Sequence, residues 1–264
     1  TISGNSNPAL PPFQTQPFVM GAVGILTLDR SLNILCFTQA LKPSAGLSFV
    51  VINSGVSGID GRDRDGRPTE LLSTSENLFQ LSFGLRLNDW ISIGVSPKIF
   101  YYSLYHDVSS TTVGVDAGAI AIVTPNLTVG IAVQDIGSKY RWDTSRLYGL
   151  RGNITEDRFP QRVRLGAAYH IGAPRILIAG EVEIVGTSNL LRTGIEYAPV
   201  EKFQVRAGID QIGFGKDDMA PKPSFGFTLT WPVGNWQPGV SYAYSIEPYS
   251  PGGIHIFSLL TYIP

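Results

Sequence analysis

Charged side chains are scarce in this chain. Asp, Glu, Lys and Arg together make up 16% of its 264 residues, against about 25% in an average soluble domain. The 20 basic and 21 acidic residues leave a net charge of −1, so there is no excess of positive charge to neutralise the phosphates of a nucleic acid. The composition therefore argues against a nucleic-acid partner and does not fit an ordinary soluble surface.

Residues for metal, redox or nucleophilic chemistry are also few. Cys36 is the single cysteine, which excludes an internal disulfide and a CxxC metal or redox site. The three histidines lie far apart, without the spacing of metal ligands. The sequence has neither a G-x-S-x-G nucleophile motif nor a phosphate-binding glycine loop. These absences predict a protein that is not an enzyme and that has no metal and no cofactor.

Long apolar runs of the kind that cross a membrane as a helix are missing as well. Such a helix needs about 20 mostly apolar residues. The uncharged stretch 117–134 comes near that length, but Pro125 and Asn126 in its middle are typical of a turn. We therefore interpret this stretch as two strands joined by a tight turn.

The sequence instead shows a sustained alternation with a period of two. From Phe79 to Leu87 every second residue is apolar, and the pattern restarts after Asn88 and Asp89. Period two is the signature of a β-strand. One face of each strand is bulky and apolar, and the other is rich in Gly, Ala and Ser, a polarity that suits lipid outside and a lumen inside. This distribution favours a transmembrane barrel over a soluble all-β sandwich.

The alternation and the turn signals predict fourteen strands, an even number, as in single-chain outer-membrane barrels. The spans are 17–28, 31–41, 45–54, 77–87, 90–104, 110–124, 127–137, 161–171, 175–186, 189–198, 202–213, 223–232, 236–247 and 253–263. Alternate connections are tight, whereas the others include the long segments 55–76 and 138–160. We predict an all-β fold: a transmembrane antiparallel β-barrel of about 14 strands in the bacterial outer membrane, with short periplasmic turns and longer extracellular loops.

The start of the chain carries the motif Asn7-Pro8-Ala9. Together with the fourteen strands, this motif resembles the long-chain fatty-acid transporter (FadL-like) superfamily of outer-membrane barrels, in which it lies in an N-terminal segment that plugs the lumen. The segments 128–142 and 253–263 look most like the PorV/PorQ-like branch, which is associated with type IX secretion. The resemblance implies that residues 1–16 form a short plug or periplasmic segment and residues 17–264 form the barrel.

Ten charged residues fall on the predicted lumen face of the strands. They are Arg86, Lys98, Asp116, Arg164, Glu181, Glu183, Arg192, Glu196, Arg206 and Asp210. Those on neighbouring strands form a ladder of opposite charges. Two roles are open: a polar path that binds solute, or a network of paired charges that fills and stiffens a narrow barrel, since buried charges need partners.

The long loop 138–160 mixes cationic and aromatic side chains. These are Lys139, Tyr140, Arg141, Trp142, Arg146 and Tyr148. Such a mixture is typical of interface hot spots and predicts a partner-docking loop. The alternative is a loop that folds over the barrel mouth with its aromatic rings packed on one another.

These features lead to two hypotheses for the function. The first is a secretion-associated or scaffold component in the outer-membrane bilayer, which engages protein partners through its extracellular loops. The alternative is an outer-membrane transporter for hydrophobic or small solutes, with a hydrophobic ligand in the lumen and the N-terminal segment as its gate.

Overall fold

The structure is a computed structural model that describes residues 3–105, 108–173, 175–214, 219–250 and 252–264. Fourteen antiparallel strands form a closed barrel, in which β7 pairs with β10 and β1 closes on β16, while β8 and β9 form a separate two-stranded sheet. The strands are β1 (Phe18–Ile25), β2 (Arg30–Leu41), β3 (Ala45–Arg62), β4 (Pro68–Arg86), β5 (Ile91–Tyr105), β6 (Val108–Thr124), β7 (Leu127–Ile136), β8 (Lys139–Asp143), β9 (Ile154–Arg158), β10 (Arg162–Ile171), β11 (Ile176–Val185), β12 (Ser188–Val200), β13 (Phe203–Gly213), β14 (Lys222–Thr230), β15 (Gln237–Ser245) and β16 (Ile254–Tyr262). The short helices are α1 (Ser3–Ser6), α2 (Ser145–Tyr148) and two 3₁₀ turns at Pro11–Phe13 and Gly149–Arg151. Among the described residues, no helix combines the length and the apolar character needed to cross a membrane.

The predicted all-β barrel of fourteen strands is confirmed, and the main difference lies in the first long loop. Residues 55–76 were expected to be a loop, but β3 and β4 continue as a hairpin ribbon to a turn at 63–67. Beyond the membrane both faces of this ribbon meet water, so the apolar and polar alternation ends although the hydrogen bonding continues. Strands β3 and β4 therefore extend beyond the residues over which the alternation predicts them.

The second long loop also carries structure that alternation does not reveal. Within 138–160, β8 pairs with β9 in register from Lys139 opposite Arg158 to Asp143 opposite Ile154. A short helix and a 3₁₀ turn connect the two strands. This β8–β9 hairpin lies at the same end of the barrel as the β3–β4 ribbon, which is the end with the long connections.

The outer wall of the barrel carries bulky apolar side chains on strand after strand. On β4, Phe79, Leu81 and Phe83 are exposed, whereas Gln80 and Ser82 between them are buried. An exposed apolar surface that continues from strand to strand is typical of a membrane-facing wall. The bulky face of each strand thus meets lipid, and the small polar face meets the interior.

Polar and aromatic side chains mark the two edges of this apolar band. Towards the long loops, the outward-facing Asn33, Asn53 and Asn77 form a ladder, in which the Asn53 side-chain amide donates to Asn77 Oδ1 at 2.8 Å and the Asn33 amide donates to Asn53 Oδ1 at 3.3 Å. At the opposite end, Trp90 and Trp236 are exposed beside tight turns. This arrangement fits the interfacial girdles that border the lipid-facing band of an outer-membrane barrel.

Candidate functional site

Residues 5–13 of the N-terminal segment lie inside the barrel. Asn7, Pro8 and Ala9 are buried, and so are Pro11 and Pro12 of the first 3₁₀ turn. The side-chain amide of Asn7 donates to the carbonyl oxygens of Ala119 at 3.2 Å and Ile131 at 2.9 Å. The Oδ1 atom of the same side chain accepts a hydrogen bond from the Ala9 backbone at 3.0 Å. Asn7 therefore ties the segment to β6 and β7 while fixing its own turn.

Four glycines allow this close approach. Gly46, Gly84, Gly94 and Gly118 are successive register partners on β3, β4, β5 and β6, and we refer to them as the glycine row. A Cβ atom on Gly94 would lie 2.2 Å from the Pro8 carbonyl oxygen, and one on Gly118 would lie 2.3 Å from Asn7 Oδ1. Equivalent atoms on Gly46 and Gly84 would lie 2.3 and 2.6 Å from atoms of Pro11 and Pro12. The wall can hold the segment only because these positions have no side chain.

Two further contacts hold the segment at different heights. The guanidinium of Arg86, one of the ten predicted lumen residues, lies over the Phe13 ring at 5.3 Å from its centroid. Higher in the barrel, the Gln134 side chain donates to the Asn5 carbonyl at 3.0 Å. Contacts of this kind on one wall leave open space on the other side of the segment.

Two cavities flank the segment inside the barrel. The upper cavity, which we call the vestibule, measures about 450 Å³ and lies beneath the β8–β9 hairpin. Its lining includes Asn5, Glu76, Phe100, Phe159, Arg162 and Arg164. The lower cavity, which we call the inner chamber, measures about 360 Å³ and lies between the segment and strands β7, β10, β11 and β12. Its lining includes Ser6, Asn7 and Leu10 on the segment, the small residues Gly130, Ala132, Gly166, Ala168, Ala179 and Gly194, and the charged Arg164, Glu181 and Arg192.

Five of the predicted lumen charges meet at the edge of the inner chamber. Arg164 contacts Glu181 at 2.6 Å and Glu183 at 3.4 Å. Arg192 contacts the same two carboxylates at 3.2 and 2.7 Å, and it also contacts Asp210 at 2.5 Å. Each of the two glutamates is thus shared between two guanidinium groups. This arrangement is the cross-strand ladder of opposite charges, and one of its edges faces open space.

A second charged group contributes Lys98, Asp135 and Arg162 to the lining of the vestibule. The Lys98 ammonium contacts Asp116 at 2.7 Å and Asp135 at 3.0 Å, and all three side chains are buried. Asp135 also contacts Arg162 at 2.6 Å. Lys98 and Asp116 were predicted to face the lumen, whereas Asp135 and Arg162 were missed.

A local irregularity of the strand explains why the alternation of side chains does not predict Asp135 to face the lumen. Gln134 and Asp135 are consecutive and both buried, Asp135 has a φ of 62°, and the β6–β7 register shifts at this point. These are the marks of a β-bulge, which turns two successive side chains to the same face. If the alternation continued without a break after Gln134, the Asp135 carboxylate would face lipid, which is energetically unfavourable. A charged residue at a predicted lipid-facing position is therefore the sequence signal that could have revealed the bulge.

The remaining predicted charges pair outside the two cavities. Arg206 contacts Glu196 at 2.6 Å and donates to the Thr228 hydroxyl at 2.8 Å. Besides its contact with Phe13, Arg86 forms an ion pair with Asp89 at 3.1 Å near the tight turn. These residues belong to paired networks and line neither the vestibule nor the inner chamber.

The loop residues proposed for partner docking divide into two sets. Tyr140 and Trp142 pack with Phe100, Tyr102 and Phe159 in a cluster of aromatic rings at the barrel mouth, with centroids 4.8 Å apart for Tyr140 and Phe159. Lys139 forms an exposed ion pair with Glu156 at 2.7 Å, and Arg141 is also exposed. The side chains of Arg146 and Tyr148 lie outside the described part of the structure. The docking role of this loop stays a prediction.

Tyr140 joins the β8–β9 hairpin to the barrel through its hydroxyl as well as its ring. The side chain is 6% exposed, and its hydroxyl donates to Glu76 Oε1 at 2.5 Å. Burial, together with this carboxylate, raises the pKa of Tyr140 well above its usual range. The contact is therefore fully present below the ordinary tyrosine pKa of about 10 and is lost only as the pH rises through the higher folded value.

We expect Tyr140→Phe to loosen the hairpin without unfolding the barrel. A hydrogen bond to a charged group contributes about 1.5–3 kcal/mol, so hairpin opening should become at least about 10-fold more frequent. Limited trypsin digestion after Arg141 and Arg158 measures this opening. Tyr169→Phe removes a hydroxyl from a lipid-exposed ring and is the matched control. Equal digestion rates for the two variants would contradict the role of the Glu76 contact.

Comparison with known proteins rests on structure, since no known protein family and no curated protein matches the sequence. The Pseudomonas putida toluene transporter TodX superimposes with a TM-score of 0.68 at 11% identity, over 99% of this chain and 92% of that chain. The CymD monoaromatic hydrocarbon channel gives 0.67 at 14% identity, over 99% and 92% of the two chains. A Pseudomonas aeruginosa FadL homologue gives 0.61 at 12% identity, over 97% and 92%. The chain has the fold of FadL-type channels. At these identities the likeness establishes the fold alone.

The comparison corrects the first functional hypothesis. The secretion-associated or scaffold function is wrong, because CymD, TodX and the Ralstonia pickettii toluene transporter TbuX, which share the fold over 99% of this chain, are hydrocarbon channels and transporters. Nothing in them supports the PorV/PorQ-like branch, type IX secretion or protein partners at the loops. They are also transport proteins rather than enzymes, in keeping with the expectation from the sequence. The predicted location in the bacterial outer membrane is confirmed by this fold.

Proposed function

We propose that the protein is a FadL-like outer-membrane channel for small hydrophobic solutes of about the size of a single aromatic ring. The observation that carries this proposal is the inner chamber, a cavity of about 360 Å³ that lies inside the barrel between small apolar wall residues and the N-terminal segment. A barrel whose interior was filled only by its own side chains would have no such space.

The size and lining of the chamber favour a flat apolar solute. An engineered apolar cavity of about 150 Å³ is large enough to bind benzene, so the chamber accommodates one substituted ring with space to spare. Gly166, Ala168, Ala179 and Gly194 on three neighbouring strands give the chamber a smooth wall of small residues. The known solutes of the structural neighbours, toluene for TodX and monoaromatic hydrocarbons for CymD, belong to the same class.

In this proposal residues 1–16 act as the gate and residues 17–264 as the channel. The segment is held by the glycine row and by Asn7 along β3 to β7, whereas the inner chamber separates it from β10 to β12. Displacement into the chamber costs the contacts on the first wall but meets no steric barrier from the second. A solute that enters the chamber therefore competes with the segment for the same space.

We test the proposed function by filling the inner chamber. Uptake of radiolabelled toluene is measured in cells whose outer membrane carries the protein, with cells lacking it as the baseline. In Ala168→Trp a large ring occupies the chamber, so uptake should fall at least about 10-fold, towards the baseline. Leu165→Trp is the matched control, since Leu165 is exposed to lipid on the same strand and should leave uptake unchanged. Wild-type uptake at the baseline would overturn the proposed function.

A further inference from the structure

Among the residues that the structure describes, Arg164 is the one that lines both the vestibule and the inner chamber. Along β10, the inward positions follow one another from the mouth downwards: Arg162 lines the vestibule, Arg164 lines both cavities, and Gly166 and Ala168 line the chamber. The N-terminal segment shows the same division, with Asn5 in the vestibule and Ser6 in the chamber. The boundary between the two cavities thus runs between the Arg164 side chain and the start of the segment.

The bonds of Arg164 hold its guanidinium across this boundary. Its Nε donates to Glu181 Oε1 at 2.8 Å, and its Nη2 contacts the same oxygen at 2.6 Å. Glu181 lies one strand away on β11 and lines the chamber. The Arg164–Glu181 ion pair therefore lies at the top of the chamber, above the small residues Gly166, Ala168 and Ala179.

The surrounding network allows the Arg164 side chain to move away from Glu181. Glu181 and Glu183 both remain in contact with Arg192 when Arg164 is withdrawn, so neither carboxylate loses its last partner. A buried ion pair is costly to break mainly because one buried charge is left without a partner. Arg164 itself is about one-fifth exposed and faces the vestibule, where water can solvate its guanidinium.

We propose that Arg164 is the specificity-determining residue of the channel, a movable charged partition that a solute must displace to pass from the vestibule into the inner chamber. This inference rests on the proposed function. A small apolar ring passes when the side chain swings aside, whereas a larger solute needs a wider opening and is held back. The partition therefore sets both the rate and the size limit of transport.

The experiment compares uptake of toluene with that of naphthalene, a two-ring hydrocarbon, in wild type and in Arg164→Met. Removing the hydrogen bonds of the partition should raise toluene uptake about 10-fold, and naphthalene uptake should rise more than toluene uptake. Arg206→Met is the matched control, because Arg206 is also an inward ion-paired arginine but lines neither cavity. Arg164→Lys keeps the charge with fewer donors, and we expect an intermediate size limit.

The possible outcomes separate this inference from the proposed function. Wild-type toluene uptake above the baseline, with unchanged uptake of both solutes in Arg164→Met, overturns the partition and leaves the channel function intact. An equal rise in Arg206→Met also overturns it, since the effect would then be a general loosening of the barrel. Wild-type uptake at the baseline overturns both. Heat-dependent mobility on gels verifies that each variant is a folded barrel, and Arg164→Lys supplies the test if Arg164→Met does not fold.

Discussion

Gly94→Val should open the channel. The added side chain would start 2.2 Å from the Pro8 carbonyl oxygen, and the atoms in its way are backbone, which cannot yield without moving the segment. The displaced segment loses the two hydrogen bonds from the Asn7 amide to the wall. At about 0.5–1.5 kcal/mol for each bond, the cost of opening falls enough to raise toluene uptake about 5- to 150-fold.

The same variant should raise ion conductance in planar bilayers, because the space that the segment fills becomes accessible to water. Gly21→Val is the matched control, since a Cβ on Gly21 meets no atom within 4 Å. If Gly94→Val folds but conducts and transports like wild type, the N-terminal segment is not the gate. The comparison therefore tests the assignment of residues 1–16 as a plug independently of any solute.

Lys98→Met should cause a large loss of stability. Lys98 is 3% exposed and contacts two buried carboxylates, those of Asp116 and Asp135. Removing one partner of a buried ion pair costs about 3–5 kcal/mol. Asp135 keeps its contact with Arg162, whereas Asp116 loses its cation. The urea midpoint of unfolding in detergent micelles measures the loss.

Two further variants show whether burial is the cause. Arg175→Met breaks an ion pair whose side chains are 48% and 82% exposed, and such pairs contribute about 0–1 kcal/mol. Adding Asp116→Asn to Lys98→Met removes the orphaned charge and should restore part of the stability. A loss in Lys98→Met no greater than that in Arg175→Met would show that this buried group does not hold the wall together.

The strand count follows from the sequence because the bilayer imposes a simple rule. A strand that crosses lipid must alternate between two very different solvents, and the run from Phe79 to Leu87 records that alternation directly. Where the ribbon of β3 and β4 leaves the membrane, both of its faces meet water, and the alternation of apolar and polar residues ends. The pattern therefore predicts where a strand is immersed rather than where it stops.

The candidate site is harder to predict from the sequence, because it depends on the register between strands. Glu181 and Arg192 could be matched across one tight hairpin, since their strands are adjacent in sequence. Gly46 and Gly118 are 72 positions apart, and they fall at one height only once three intervening pairings are fixed. Asp135 was hidden by a bulge that breaks the period locally. Features made by several strands together are visible only in the folded barrel.

The glycine row also constrains how the barrel can assemble. The segment that it holds runs directly into β1, and β1 closes the wall by pairing with β16 at the far end of the chain. If the barrel closed first, the segment could bring Pro8 to Gly94 only by entering through one of the narrow ends of the barrel. The segment is therefore enclosed most directly if β3 to β6 form around it before the seam closes. Such a seam joins residues about as distant as the chain allows, which makes closure the slow, late step of folding.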